Sequence, residues 1–236
     1  VSYFQRPEIS NSDLTSLKKY FQPERQVYDI EQAYRFGSLV DAIITEAHRV
    51  NFLTREVDGE KYNQQEFDTA RKMKDVALRD DFFRHILKSA AMQHVTIKPE
   101  FEIEYGGHRF TMPMRCKWDF WGGNNSLIDG DLKSTACLSE SSFVQSVDYF
   151  DYDRQAALYM DLENRSRFIF LAISKKNFKI FKFAIKRGDP IYERGRAKYQ
   201  ELAFRYWYMF GDLSTYKSDD RNNHHVGREA IFQEDF

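Results

Sequence analysis

The chain has 236 residues and a formal net charge of −1, with 42% apolar and 30% charged residues. That length suits one α/β domain with a sizeable core, and 21 Phe and 14 Tyr exclude a disordered chain, because so much apolar surface must be buried. No apolar run approaches the roughly 20 residues of a membrane-spanning helix. The opening VSYFQRPEIS lacks a basic-then-apolar leader, so a cytoplasmic protein with no membrane partner is expected.

Cys116 and Cys137 stand far apart without a CxxC partner, which excludes a Cys-rich metal site and fits a reducing compartment. A net charge near zero leaves any polyanion to be met by a local basic patch.

NSDLTSLKKYF predicts a helix over 13–21, opened by a capping residue. In DIEQAYRFGSLVDAIITEAHRV, Ala33, Phe36, Leu39, Val40, Ile43, Ile44 and Ala47 fall at helical spacing, so a core helix is expected over 29–50. Two more helices are expected over 63–80 and 80–92. After Gln93 the period changes. VTIKPEFEIEY, GG and HRFTMPMRCKWDFW alternate around a glycine turn and predict a hairpin. SLIDGDLKST follows the GGNN turn as a third strand, ESSFVQSVDYF and DYDRQAALYMDLEN read as helices, and RFIFLAIS and IFKFAIK form a second strand pair. A helix over about 190–210 precedes a polar tail at 211–236. The layout is mixed α/β in a single domain: a helical part over about 8–92, a sheet core over about 93–187, then the closing helix.

Strand alternation puts residues i and i+2 on one face, so Asp129, Asp131 and Lys133 in LIDGDLKST would project together. Asp119, near the end of the preceding hairpin strand, could reach the same end of the sheet. Two carboxylates on adjacent strands form a hard-oxygen site suited to a magnesium-like ion. A lysine beside them would offset charge building on a phosphate. An isolated Asp-x-Lys triplet is more often a solvated ion pair, so the triplet gains meaning only from its company. Gln155 and Tyr159, one helical turn apart in DRQAALYMD, are part of that company.

The ordered set FGSLVDA, CKWDF, DGDLKST and DYDRQAALYMD, with the opening PEISNSDLTSL, resembles the PD-(D/E)XK nuclease superfamily. The likeness is to its RecB-like branch, and especially to the phage exodeoxyribonuclease VIII (RecE) type of domain. It implies a restriction-endonuclease-like core, a central mixed β-sheet flanked by helices. It also implies Mg2+ (or Mn2+) held by Asp119, Asp131 and the Leu132 carbonyl, with Lys133 as the catalytic lysine. Gln155 and Tyr159 match the Gln-x-x-x-Tyr motif associated with DNA contacts and with positioning of the catalytic groups. Asp129 has no such role and reads as a turn residue or as one that supports the site from behind its ligands.

The chain departs from this pattern at two places. Trp118 stands where the proline before the first acid is usual, and Asp41, four residues after Gly37, takes the place of a metal-binding histidine. Asp41 is read as an assisting ligand, and His48 as a substitute. Glu104, with Glu102 as the other choice, is read as an added carboxylate. His224 and His225 read as solvated tail residues.

SKKNFKIFKFAIKRG carries Lys175, Lys176, Lys179, Lys182, Lys186 and Arg187, and TARKMKD carries Arg71, Lys72 and Lys74. Either could attract phosphates without reading bases. The competing explanation for the first is an edge strand whose lysines discourage aggregation.

The expected function is a metal-dependent DNA nuclease, an exonuclease on duplex ends. An endonuclease on the same scaffold is one alternative. A DNA-binding or assembly module whose site decayed with the His-to-Asp change is the other. The resemblance also implies phage-type recombination, a single-strand annealing protein as partner, and a homo-oligomer.

Overall fold

The computed structural model describes residues 3–22, 30–123 and 128–211. Five strands form the central sheet: β4 (Ala91–Tyr105), β5 (His108–Trp121), β6 (Gly130–Thr135), β7 (Arg167–Ser174) and β8 (Ile180–Lys186). They lie in sequential order, antiparallel except for the β6–β7 pair, which is parallel. A parallel pair needs a crossover, supplied here by α5 (Glu140–Tyr149) and α6 (Tyr152–Leu162).

Seven of the eight residues of β7 are buried, which marks a central strand covered on both faces. Phe168, Phe170 and Ala172 face one core with Trp118, Phe143 and Tyr159. Ile169, Leu171 and Ile173 face a second core with Leu39, Ile43, Met73 and Phe83. Each large apolar side chain so buried contributes roughly 1.5–3 kcal/mol. The first core is closed by α1 (Asn11–Phe21), α5, α6 and α7 (Pro190–Phe210). The second is closed by α2 (Ile30–Thr45), α3 (Gln64–Arg79) and α4 (Asp81–Ser89).

Gly130 at the start of β6 permits the closest approach in the sheet, since a Cβ there would meet the Ile169 carbonyl oxygen at 1.8 Å. Any side chain would push β6 off β7 at the acidic end.

An ionic network, buried at Asp151, Asp153 and Arg154, ties α1 to α6 and α7. Lys18 Nζ lies 2.7 Å from Asp151, Arg194 Nε 2.6 Å from Asp153, and Lys198 Nζ 2.8, 3.0 and 3.1 Å from Asp148, Asp151 and Asp153. Arg154 donates from Nε to Asn11 at 3.0 Å and also bonds Thr15.

The expected helix over 29–50 ends at Thr45. A 3₁₀ turn (Ala47–Arg49) and a small antiparallel sheet of β1 (Val50–Asn51), β2 (Glu56–Val57) and β3 (Glu60–Lys61) follow. Two-residue strands are too short for periodicity to reveal. His48 is therefore not on the helix of Asp41. The expected helix over 80–92 ends at Ser89, and β4 begins at Ala91, four residues before the expected strand. β6 starts at Gly130; the GGNN turn partly, and His224, His225 and most of the expected tail wholly, lie outside the described residues. Among the described residues, no helix is long and apolar enough to cross a membrane.

Candidate active site

Asp131 and Lys133 share a face of β6, and their register partners Phe170 and Ala172 on β7 point into the core beneath α6. Lys133 Nζ lies 2.5 Å from Asp131 Oδ2 and donates to Gln155 Oε1 at 3.0 Å, while Gln155 Nε2 donates to Asp131 Oδ1 at 2.7 Å. The amide thus joins acid and lysine into one closed ring of contacts. Below, the ammonium sits 4.8 Å from the Tyr152 ring and 5.9 Å from the Phe170 ring, a cation–π seat. Burial alone would lower the Lys133 pKa, but Asp131, Tyr152 and Asp119 reverse this and raise it. Lys133 is thus held as an ammonium by its acidic neighbours.

Asp119, on β5, accepts from the Leu132 backbone N–H at 2.8 Å, which fixes it across the strand gap beside Asp131. Burial, then the charges of Asp131 and Asp41, hold the Asp119 carboxyl well above the usual range. Asp41 comes from α2, one turn after Gly37, whose Cα faces Ser134 of β6. Its carboxyl is raised as well, first by burial and further by Asp131, while Thr45 and Lys117 oppose the rise.

Asp129 does not project with Asp131 and Lys133 as alternation suggested. It precedes the strand, fully buried, accepting from Gly122 N–H at 2.6 Å and lying 3.3 Å from Arg165 Nε. It anchors the chain before β6, as its turn reading anticipated. Tyr159, one turn after Gln155 on α6, packs edge-on against Trp118 and Phe168 at 5.3 and 5.8 Å within the core.

The structure does not bring Glu104 to this cluster. Glu102 and Glu104 lie at the hairpin tip, 3.8 and 3.5 Å from Arg109, and Glu104 is in register with Arg109. From Gln93, beside the acids, Glu104 is eleven residues along the strand, on the order of 35 Å at about 3.3 Å per residue. Alternation gives the face of a strand but not the distance along it.

Lys175 and Lys176 follow β7 directly, at the Thr135 end of β6, the end away from Gly130. Lys175 N–H donates to Thr135 O at 2.8 Å, and its ammonium lies 5.4 Å from the Phe36 ring. Both lysines line a cleft of about 380 Å³ with Gln32, Asn63 and Thr69. Lys179 is exposed in the turn before β8. Lys182 pairs with Asp80 at 2.7 Å, so its charge is matched locally. Lys72 and Lys74 are also engaged, over the Phe178 ring at 4.2 Å and on the Ile43 carbonyl at 2.7 Å.

Sequence reasoning missed Gln93 and Thr45, which hold Asp41, and the aromatic seat of Tyr152 and Phe170. The cation–π seat had a visible signal in the aromatics of DYFDYD and RFIF. Gln93 had none.

The donor set suits a hard divalent cation. Asp119 and Asp131 offer carboxylate oxygens from adjacent strands, and the mutual repulsion that raises Asp119 is what a cation would relieve. Among the described residues, no three His, Cys, Asp or Glu side chains close into a ready-made cage.

A mixed sheet flanked by helices, with two acids and a lysine at the end of adjacent strands, defines a PDDEXK-like domain. The chain belongs to the family described as PDDEXK-like domain of unknown function (DUF3799), whose pattern matches residues 11–212. The fold is similar to that of a protein described as "Putative exonuclease" from Eubacterium rectale, at a TM-score of 0.53 and 14% identity over 92% of this chain and 85% of that one. An alkaline exonuclease from Laribacter hongkongensis is 13% identical over 86% of this chain and 91% of its own, but its TM-score of 0.30 carries no argument. No curated protein matches the sequence.

Proposed function

We propose that this chain is a Mg2+- or Mn2+-dependent deoxyribonuclease that hydrolyses phosphodiester bonds, working from the ends of duplex DNA. The observation that carries the reading is the closed contact of Asp131, Lys133 and Gln155 beside an Asp119 fixed by the Leu132 amide. A purely structural ion pair would not need a second, repelling carboxylate at its side. The similar fold from Eubacterium rectale, described as an exonuclease, supports the choice of reaction.

Asp119, Asp131 and the Leu132 carbonyl would hold the ion, with Asp41 assisting. When bound, a divalent ion supplies a polarised water and neutralises charge on the phosphate. Lys133, kept protonated, presents a fixed positive charge to the phosphate oxygens as negative charge builds in the transition state. Gln155 holds the lysine and Asp131 in mutual register, and Tyr159 lies one turn after it on α6. Lys175 and Lys176, past the Thr135 end of β6, would meet the DNA backbone away from the reacting phosphate, without reading sequence.

The test is release of acid-soluble nucleotide from end-labelled linear duplex and from covalently closed duplex, with magnesium, manganese or EDTA, for wild type and Lys133→Ala. We expect metal-dependent release from the linear substrate that falls at least ~100-fold in the variant. Equal attack on closed circles would replace the exonuclease reading with an endonuclease. No release with either metal, from folded protein that binds DNA, would overturn catalysis.

A further inference from the structure

Asp41 is gripped by two neighbours. Thr45 Oγ1 donates to its Oδ1 and to its backbone carbonyl, both at 2.9 Å. Gln93 Nε2 donates to both carboxylate oxygens, at 3.0 and 3.2 Å, and to Thr45 Oγ1 at 2.9 Å. Gln93 lies on β4 between Met92 and His94, whose register partners Phe120 and Trp118 flank Asp119 on β5. The same short stretch of hairpin thus carries one acid and the amide that holds another.

The backbone at Gln93 is left-handed, with φ 57°, at the third residue of an otherwise extended strand. Non-glycine residues seldom adopt this conformation, and those that do cluster where a side chain must be aimed. A carboxylate only accepts, so the amide nitrogen must face Asp41. The other amide atom, Oε1, is then left buried without a hydrogen-bond partner. Buried polar atoms are nearly always satisfied, so an orphaned one beside a cluster of carboxylates points to a polar ligand that meets it.

We propose that Gln93 is a positioning residue of the divalent-ion site: its amide nitrogen, with Thr45, sets the Asp41 carboxylate toward Asp119 and Asp131, and its free Oε1 accepts from water brought by the hydrated cation. This rests on the metal-dependent reading above. It gives the aspartate that replaces the usual histidine a partner of its own, and it explains a backbone conformation that the sheet does not need.

The experiment measures Mn2+ affinity of the DNA-free protein by electron paramagnetic resonance of free Mn2+, for wild type and Gln93→Met, together with melting temperature and steady-state kinetics on linear duplex. Methionine keeps the length and removes both polar atoms. Loss of a group that orients a ligand typically costs about tenfold to 100-fold in metal affinity. We expect that loss here, a lower kcat recovered by raising Mn2+, an unchanged KM for DNA and an unchanged metal-free melting temperature. If Gln93→Met does not fold, Gln93→Asn, which withdraws the amide by one methylene, gives the same readout. Unaltered Mn2+ affinity in a folded variant would overturn the assignment of Gln93 and leave the nuclease reading standing. A wild type that binds no Mn2+ would overturn both.

Discussion

Two clusters of charge meet on opposite sides of the first turns of α6, where Asp153 and Gln155, two residues apart, are separated by about 200° around the helix axis. They are balanced differently. In the α1–α6–α7 network, Asp148, Asp151 and Asp153 are met by Lys18, Arg154, Arg194 and Lys198. At the acidic end of the sheet, among the described residues, Asp41, Asp119 and Asp131 face Lys133 and, at longer range, Lys117. The consequence shows in the protons. Burial works to raise Asp151, yet Lys18, Arg154 and Lys198 bring it below the usual range, whereas Asp119 rises well above it. Matched charge is architecture; unmatched charge is kept for something that arrives from solution.

The largest effect is expected from Arg154→Met. The change removes a buried charge from the network, with its ion pair to Asp151 and its hydrogen bonds to Asn11 and Thr15, and a loss of about 3–5 kcal/mol is expected in urea unfolding. Mn2+ bound per folded molecule should not change. A loss of metal binding with full stability would mean that the two clusters are not separate devices.

Gln155→Leu comes next. It removes the amide that bridges Asp131 and Lys133 but leaves their direct ion pair, so no charge is stranded, and kcat should fall about tenfold to 100-fold while the melting temperature stays within a few degrees.

Asp119→Asn is expected to raise stability instead. An aspartate whose folded carboxyl lies above its unfolded value holds its proton more tightly when folded. Its stabilising contribution is complete below the unfolded value near ~4 and is lost as pH rises through the folded value. Without metal, the wild type should therefore lose stability from this group as pH rises. The asparagine variant should gain, with a higher melting temperature at neutral pH. It should also lose metal binding. Asp151 has the opposite sign, because a lowered carboxyl contributes above its unfolded value and that contribution fades in acid. Melting curves from strongly acidic to mildly alkaline pH, with and without Mn2+, would separate the two.

The smallest effect concerns DNA capture. Lys175→Ala with Lys176→Ala should weaken binding to all sequences alike, and each phosphate no longer neutralised should flatten the slope of log K against log salt by about 0.9. Lys182→Ala, whose partner is Asp80, should leave that slope unchanged.

Much of the candidate site was legible in the sequence. The run RFIFLAIS read as a strand, and DGDLKST placed Asp131 and Lys133 on one side of its neighbour because alternation is a local rule. What stayed hidden depends on distance along elements or on partners far apart in the chain. Glu104 was placed on the right strand and at its wrong end. Lys182 looked like a DNA contact because Asp80, its partner, is 102 residues away. The 50–61 sheet was too short to have a period, and Gln93 acts through a backbone angle that composition does not encode.

The parallel β6–β7 pair has a further consequence, for folding order. Lys133 and Gln155 are 22 residues apart and Asp131 and Gln155 24, all within one strand–helix–helix–strand crossover, whereas Gln93 and Asp41 are 52 apart. Closing a longer loop costs more chain entropy, and contacts local in sequence tend to form sooner. The lysine half of the site is thus assembled within a contiguous supersecondary unit. The Asp41 half is added when α2 docks, so a chain still folding seats its own ammonium before all three carboxylates have gathered.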